Sequence, residues 1–325
     1  MDVVYSFLVN SVFDKNEFLR FSSTETDFLV LGGTGLLGSE FVNELSKSHS
    51  VAATFHEVQP FKVGRVNWHK LNAIDLFSIN ELIYLLRPKV VINCIALTDV
   101  DKCELYPKLA ADLNHLLPQT LAKICSELGI YLIHISTDHY DSSLRIPRKE
   151  QDVVFGINQY GITKMQGENS ILDLNVSALI LRTNFFSYSL LRNNSFLNWI
   201  VNNLEKDQII KGFTDIEFTP ISIAELISCT FALQEMRISG IVNVSSNKSI
   251  SKYDFISFVA KAFNFEANLI EPSVSDEVKG RVRRPTYMSL DNERLSSIMH
   301  RKMISLDSMI DQVSDSYFNS RSNKK

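Results

Sequence analysis

The 325-residue sequence is poor in cysteine, in basic runs and in long apolar segments. Its four cysteines include no Cys-x-x-Cys pair, which argues against a disulfide scaffold and favours a reducing cytoplasm. A net charge of −4, with no basic run before Lys324, gives no case for nucleic-acid binding. The apolar stretch 3–12 lacks a basic region before it and is too short to span a bilayer, so we expect neither a signal peptide nor a membrane span.

Glycine is also scarce, with 12 residues, and four of them lie between positions 32 and 38. The apolar run 28–31 before them predicts a buried strand, and residues 40–47 after them begin a helical pattern. Glycine tolerates the backbone angles of a tight strand-to-helix turn, and the helix N-terminus offers free N–H groups to a phosphate. The order of strand, glycine turn and helix therefore predicts a dinucleotide-binding turn.

Apolar runs and helical patterns continue to alternate after this turn. Further strands are predicted at 51–55, 67–71, 90–95, 131–136, 178–182 and 240–245, and helices at 79–86, 107–113, 118–128, 196–204, 221–233 and 253–263. This alternation predicts an α/β fold, a Rossmann-type doubly wound parallel sheet with a smaller, interleaved C-terminal substrate-binding domain. We divide the chain into an N-terminal extension of unknown role (1–26), an NAD(P)-binding Rossmann domain (27–184) that the strand near 240–245 rejoins, and a mainly substrate-binding domain (185–325).

A second motif follows the strand predicted at 131–136, which runs into Ser-Thr-Asp at 136–138. Tyr160 and Lys164 then form the only Tyr-x-x-x-Lys in the chain. Residues four apart share a helix face, so the ammonium of Lys164 would lie near the phenol of Tyr160 and lower its pKa. Such a tyrosine can act as a general acid in carbonyl reduction or as a base in alcohol oxidation, with Thr137 placed to bind the substrate oxygen. The alternative is an exposed helix face without chemistry.

Together these motifs identify a resemblance to a known family. The glycine spacing of 32, 35 and 38 is similar to that of short-chain dehydrogenases/reductases, and the chain as a whole resembles the extended dTDP-4-dehydrorhamnose reductase family. The matching segments are LVLGGTGLLG (29–38), VVINCIALTDVDKCE (90–104), HISTD (134–138), YGITK (160–164), LRTNFFS (181–187), FTPISIAEL (218–226), YDF (253–255) and RPTYMSLD (284–291). The resemblance covers nearly everything from residue 27 to about residue 310.

The resemblance also implies site residues. It makes Thr137, Tyr160 and Lys164 the catalytic set. The cofactor-binding residues expected on this basis are Gly32, Thr34, Gly35, Leu36, Leu37, Gly38, His56, Asn72, Ile95, Ala96, Thr98, Tyr160 and Lys164. The substrate-binding residues expected are Asp138, His139, Phe185 and Arg284, the last because a nucleotide-sugar diphosphate needs cations and arginine suits phosphate.

Three positions depart from the family pattern. His139 replaces an aromatic hydroxyl close to the substrate, Phe185 stands where tryptophan is common, and Asn72 stands where an aspartate often follows the third strand. The catalytic set is retained, so the resemblance implies retained chemistry and leaves the identity of the sugar open.

The sequence leaves the type of nicotinamide cofactor open as well. Glu57 is the only acidic candidate for binding the ribose hydroxyls of NADH, whereas His56, Lys62 and Arg65 could meet the 2′-phosphate of NADPH. A solvated loop is as good an interpretation of all four residues. We favour NADPH over NADH.

The function implied by the resemblance is NAD(P)H-dependent reduction of a 4-keto nucleotide-activated deoxysugar, with dTDP-4-dehydrorhamnose as the leading substrate, in cell-surface polysaccharide biosynthesis. Two alternatives stay open: a nucleotide-sugar epimerase or dehydratase with tightly held NAD, and a non-catalytic subunit similar to the regulatory subunit of methionine adenosyltransferase. The partner expected is a nucleotide sugar, with a homodimer as an open alternative. We expect neither nucleic acid nor a membrane as a partner. We also expect no metal site, because His134 and His139 have no third ligand nearby in sequence.

Overall fold

The structure, a computed structural model, describes residues 25–141, 144–174, 177–189, 195–277 and 280–322. Residues 1–24 of the predicted N-terminal extension therefore lie outside the described residues. In the part of the chain that is described, no helix is long and apolar enough to cross a membrane.

The fold is built on a seven-stranded parallel sheet. Its strands are β1 (Phe28–Leu31), β2 (Val51–Phe55), β3 (Val66–Lys70), β4 (Val90–Asn93), β5 (Tyr131–Ile135), β6 (Ala178–Arg182) and β11 (Gly240–Asn243). Their spatial order is β11-β6-β5-β4-β1-β2-β3. The strand order reverses at β1, because the next strands along the chain lie on its two sides, β2 and β3 on one and β4 on the other. Open α/β sheets bind their ligands at such a switch point, beyond the carboxyl ends of the strands.

Helices pack on both faces of this sheet and on the short strands that follow residue 184. They are α1 (Leu36–Leu45), α2 (Leu76–Leu86), α3 (Val100–Leu105), α4 (Pro107–Ala111), α5 (Leu117–Leu128), α6 (Gln159–Asp173), α7 (Phe196–Leu204), α8 (Ile223–Glu235), α9 (Lys252–Ala262), α10 (Glu293–Met299) and α11 (Leu306–Ser322). Side chains alternate along β1, so Val30 packs in the core on one face while Leu29 and Leu31 pack in the core on the other. Burial on both faces explains why the central strands are continuous apolar runs, whereas the edge strand β3 is partly exposed and carries polar residues.

Short strand pairs organise the chain beyond residue 184. They are β7 (Phe185–Phe186) with β10 (Ile221–Ser222), β8 (Ile210–Phe213) with β13 (Ile270–Ser273), and β9 (Glu217–Phe218) with β12 (Ile250–Ser251). The strand predicted at 240–245 lies in the main sheet, beside β6. The C-terminal half of the chain is thus threaded back onto the Rossmann sheet.

The prediction for residues 107–113 differs from the structure. The helix ends at Ala111, and residues Asp112–Leu116 form one π-helical turn before α5 begins. Asn114 in this turn is fully buried, and its side chain bonds the backbone of Leu97. A buried tertiary contact has therefore overridden the local helical pattern, and single π turns within helices are frequent at functional sites.

Candidate active site

The glycine turn between β1 and α1 leaves no room for side chains. A Cβ at Gly38 would lie 2.2 Å from the carbonyl oxygen of Gly32, and one at Gly33 would lie 2.8 Å from the Cβ of Ala53. Gly32 has a φ of +78°, which favours glycine. Thr54 holds the turn, because its Oγ1 accepts from Gly32 N at 2.9 Å and its carbonyl accepts from Gly33 N at 2.8 Å.

This turn fits the diphosphate of a dinucleotide. Gly35 precedes helix α1 without a side-chain cap, so no side chain of that residue occupies the first N–H groups of the helix, and the positive end of the helix dipole lies at the turn. The predicted cofactor residues Thr34, Leu36 and Leu37 all belong to this turn or to the first turn of α1. A diphosphate needs a turn without side chains, so that it can reach the backbone, and a helix start whose N–H groups are not capped by a side chain.

The segment after β4 lies beside the glycine turn. Ile95 Cγ1 would be 3.0 Å from a Cβ at Gly32, so these two predicted cofactor residues are neighbours. Asn114 fixes this segment: its Oδ1 accepts from Leu97 N at 2.9 Å, and its Nδ2 donates to Leu97 O at 3.0 Å. The same Nδ2 reaches Thr163 Oγ1 at 3.2 Å, which ties the segment to helix α6.

The adenosine end of the predicted cofactor site is less defined. His56 and Asn72 are both exposed in the loops that follow β2 and β3. The side chain of Asn72 accepts from Ile74 N at 3.3 Å, as in a local turn. Their cofactor roles stay predictions.

One buried carboxylate, that of Glu168, holds both ends of the segment 136–140, which contains the Ser-Thr-Asp motif. Ser136 Oγ donates to Glu168 Oε1 at 2.5 Å, and the Tyr140 hydroxyl donates to the same oxygen at 2.9 Å. Arg182 completes the cluster with a bond of 2.7 Å to Glu168 Oε2. Sequence reasoning missed this support, because Glu168 and Arg182 meet only once α6 packs against β6.

Tyr160 and Thr137 come together at the carboxyl end of β5, at the same sheet edge as the glycine turn. Thr137 Oγ1 accepts from His139 N at 3.1 Å, which leaves its hydroxyl proton to donate to the Tyr160 phenol. Burial raises the pKa of Tyr160 well above its ordinary value, the hydrogen bond from Thr137 lowers it, and the charge of Asp138 raises it. The phenol is therefore protonated at neutral pH.

Lys164 corrects one expectation. Its ammonium donates to Ile135 O at 2.7 Å and lies 3.4 Å from His134 Nε2, and burial lowers its pKa to about 8. The expected lowering of the tyrosine pKa below its ordinary value is wrong for this structure, because burial of Tyr160 dominates. Lys164 does share the inward face of α6 and is buried beneath the site.

His139 packs against the proposed proton donor. Its ring lies 5.2 Å from the Tyr160 ring, edge to face, and its Nε2 is 2.9 Å from Asn158 Nδ2. Asn158 Oδ1 accepts from Gly161 N at the start of α6, so Nδ2 is the atom that donates to His139. His139 Nε2 must then be unprotonated, which agrees with a pKa lowered to about 4 by burial and by the nearby cations Arg284 and Lys252.

This buried neutral histidine predicts a loss of stability in acid. Below about pH 6.5 the unfolded chain binds a proton that the folded His139 excludes, so the free energy of unfolding falls as the pH drops towards 4, by up to about 3 kcal/mol. We expect His139→Gln to be less acid-sensitive than the wild type over this range, measured by urea unfolding at a series of pH values. Asp138, whose pKa burial raises to about 6, acts in the opposite direction but is present in both proteins. Parallel curves for the two proteins would contradict the prediction.

The substrate side gathers residues from distant parts of the chain. Asp138 Oδ2 accepts from Asn184 Nδ2 at 2.8 Å, and Phe185 follows in the short strand β7. Arg284 donates to Asp101 at 2.9 Å, and its charge contributes to the lowered pKa of His139. Lys252 joins this group without any sequence signal, because only the tertiary fold brings the start of α9 to this cleft.

In the described ranges, no group of three or more His, Cys, Asp or Glu side chains is arranged to hold a metal ion. His134, weighed above as a metal ligand, is buried and its Nδ1 lies 3.1 Å from Asn93 Nδ2.

One known family and several known proteins are similar to this chain in sequence. The family described as RmlD substrate binding domain matches residues 26–318. A probable low-salt glycan biosynthesis reductase of Haloferax volcanii is 32% identical over 268 residues, which are 81% of this chain and 88% of that protein. The methionine adenosyltransferase 2 subunit beta of Rattus norvegicus is 28% identical over 290 residues, covering 83% of this chain and 81% of that protein.

Solved structures agree on the fold. A hypothetical dTDP-4-dehydrorhamnose reductase from Sulfolobus tokodaii has a TM-score of 0.76 at 29% identity, covering 86% of this chain and 97% of that one. A dTDP-4-dehydrorhamnose reductase from Bacillus anthracis, solved in complex with NADP, has a TM-score of 0.76 at 22% identity, covering 89% and 99%.

Proposed function

This chain belongs to the RmlD substrate-binding-domain family, and from that membership we propose that it reduces the 4-keto group of a nucleotide-activated deoxysugar. It is an oxidoreductase of the Rossmann type that takes a nicotinamide dinucleotide. The leading substrate is dTDP-4-dehydrorhamnose, reduced to dTDP-rhamnose for cell-surface polysaccharide. NADPH as the preferred cofactor, a cytoplasmic location and a homodimer stay predictions.

One observation carries the proposal. The phenol of Tyr160 lies beside Thr137 at the edge of the sheet where the glycine turn also lies, and its raised pKa keeps it protonated. A protonated phenol in this place is the state that a general acid needs before carbonyl reduction.

The residues of the chain supply everything except the hydride. The glycine turn between β1 and α1 would hold the diphosphate of the cofactor, which when bound supplies the hydride for the carbonyl carbon. Tyr160 gives its proton to the carbonyl oxygen, so the substrate becomes an alcohol and the tyrosine a phenolate. The hydroxyl of Thr137 donates to the phenol oxygen and so stabilises the charge that forms there. Lys164, whose ammonium is held on Ile135 O, is a cation one helix turn after Tyr160 in α6 when it is protonated.

The proposal is tested with purified protein, NADPH or NADH, and a panel of dTDP- and UDP-linked 4-keto sugars. We expect oxidation of the reduced cofactor with at least one dTDP-linked sugar and formation of the matching alcohol. No oxidation with any member of the panel would contradict the proposal. Interconversion of sugars with NAD retained on the protein would instead favour the epimerase alternative.

The rat relative favours a second candidate, a non-catalytic subunit that binds methionine adenosyltransferase. A stable complex with that enzyme and no turnover of any 4-keto sugar would support it. The retained Thr137, Tyr160 and Lys164 argue for catalysis, because a subunit that only binds a partner needs no proton donor.

A further inference from the structure

Lys252 is fixed in position by its backbone at the start of helix α9. Its N–H donates to Ile216 O at 3.0 Å, and the preceding Ser251 caps the helix by accepting from Asp254 N at 3.0 Å. The antiparallel pairing of β12 with β9 places Phe218 next to this helix start.

The side chain of Lys252 rests on aromatic rings and not on a carboxylate. Its Nζ lies 3.2 Å from the centre of the Phe218 ring and 4.8 Å from that of Phe196. The residue is half-buried, and none of the ion pairs formed by the described ranges involves it. The rings support the ammonium from one side and leave its hydrogen-bond donors available on the other.

This arrangement is unfavourable for the isolated fold. A cation in the first turn of a helix meets the positive end of the helix dipole, where a carboxylate such as that of Asp254 is preferred. Burial is the main cause that lowers the pKa of Lys252 to about 8, against a raising effect of the Asp138 charge and with a smaller lowering effect of the second cation, Arg284. A residue that opposes local electrostatics is expected at a functional site.

The surroundings of Lys252 are those of the substrate. Its charge contributes to the pKa of both Asp138 and His139, and the His139 ring contacts Tyr160. The charge of Arg284 contributes to the pKa of Lys252, and the buried Nε of Arg284 has no hydrogen-bond partner among the described residues. Lys252 and Arg284 therefore both lie close enough to His139 to affect its pKa, Asp138 is the opposing charge near Lys252, and Arg284 Nε is left without an acceptor in the described ranges.

We propose that Lys252, acting with Arg284, binds the diphosphate of the nucleotide sugar and so sets the distance between the nucleotide and the reacting carbonyl. This inference rests on the proposed function for the class of ligand only. Phosphate oxygens supply the negative charge and the several acceptors that these donors lack, and arginine suits them geometrically. A carboxylate on the sugar ring would also offer negative charge and acceptor oxygens to these donors. The test below separates the diphosphate from such a carboxylate.

The test measures binding without turnover. The full-length protein is saturated with NADP⁺, so that the cofactor site is filled, and titrated calorimetrically with dTDP, UDP, thymidine and uridine. We expect Lys252→Met to weaken binding of the nucleoside diphosphate about 10- to 100-fold, the loss expected for one charge-assisted hydrogen bond, and to leave the nucleosides unaffected. Lys252→Arg keeps the charge and should retain most of the affinity.

Lys248→Met is the matched control. Lys248 also lies over an aromatic ring, 4.3 Å from the centre of Phe258, but it is exposed. Its replacement should leave dTDP and UDP binding unchanged. The thermal midpoint of unliganded Lys252→Met should equal or exceed that of the wild type, because a cation leaves the positive end of a helix. A lowered midpoint with unchanged diphosphate affinity would show a structural role only and overturn the proposal.

Two other outcomes would also overturn it. Wild-type protein that binds neither dTDP nor UDP has no diphosphate site of this kind. A loss confined to intact nucleotide sugars, with dTDP and UDP binding unchanged, would place the ammonium on the sugar ring. A protein that binds diphosphates through Lys252 yet reduces no 4-keto sugar would contradict the proposed function and leave this inference intact.

Discussion

Replacing Tyr160 by phenylalanine is expected to lower kcat for the 4-keto nucleotide sugar by about 10²- to 10⁴-fold, the usual contribution of a general acid. The change removes one hydroxyl and keeps the ring that packs against His139. The proton that must reach the carbonyl oxygen then has no donor at that place. Measured by steady-state kinetics, the defect should lie in kcat and not in KM, because the phenol is proposed to act on the reacting oxygen in the transition state.

A matched control separates chemistry from general damage. Tyr84, in the last turn of α2 and just before β4 begins, is exposed and lies at the end of the sheet opposite the carboxyl ends of the strands, so Tyr84→Phe should have wild-type kcat. Binding of NADP⁺ to Tyr160→Phe should stay within a few-fold of the wild type, because the glycine turn is untouched. Undiminished turnover by Tyr160→Phe would remove the basis of the proposed mechanism.

The sheet could be predicted from the sequence because most of its strands are buried on both faces. Predicted strands 28–31, 51–55 and 178–182 match the structure at both ends, and that at 67–71 is shifted by one residue from Val66–Lys70. Gly129, which directly follows the helix predicted at 118–128, has a φ of +66° after α5, as a glycine C-cap does. These signals are local, since they depend on burial of consecutive residues or on one backbone angle.

What the sequence could not provide depends on contacts between distant segments. The π-helical turn at Asp112–Leu116 exists because Asn114 bonds Leu97 and Thr163, which no periodicity encodes. Strands of two residues, such as Phe185–Phe186, carry too few side chains to form a pattern. Lys252 and Asp138 are more than a hundred positions apart, so their electrostatic coupling required the fold.

The pKa of Tyr160 shows a different limit. The spacing of Tyr160 and Lys164 correctly indicated a shared helix face, but the sign of the pKa shift depends on how deeply the phenol is buried. The cost of desolvating a phenolate is the largest influence on the Tyr160 pKa, and Lys164, whose ammonium is bonded to Ile135 O, does not offset it. Sequence spacing can place a charge, but only the structure gives the dielectric environment in which it acts.

The largest loss of stability is expected from Arg182→Met. Arg182 and Glu168 are 3% and 1% exposed and are joined by three hydrogen bonds between the guanidinium and the carboxylate. Removing the cation leaves a buried carboxylate with only the Ser136 and Tyr140 hydroxyls as donors. We expect the free energy of unfolding, measured by urea denaturation, to fall by about 3–5 kcal/mol.

Two further variants test the cause of that loss. Glu168→Gln combined with Arg182→Met removes both charges and keeps an oxygen that can accept from Ser136 and Tyr140, so it should recover part of the stability. The exposed pair of Lys47 and Glu44 has a comparable distance of 2.6 Å, yet Lys47→Met should cost less than about 1 kcal/mol because water screens it. Equal losses for Arg182→Met and Lys47→Met would show that burial of the pair is not what makes it matter.

The buried pair of Glu168 and Arg182 should also affect activity at a distance. Because Ser136 and Tyr140 bond one oxygen of Glu168, the carboxylate holds both ends of the segment that carries Thr137, Asp138 and His139. The double variant, although more stable than Arg182→Met, binds this segment through a neutral amide and should therefore remain slower than the wild type. A double variant with recovered stability and full kcat would show that the ion pair supports the fold alone; recovered stability with reduced kcat would show that the charge of Glu168 is needed to position the site.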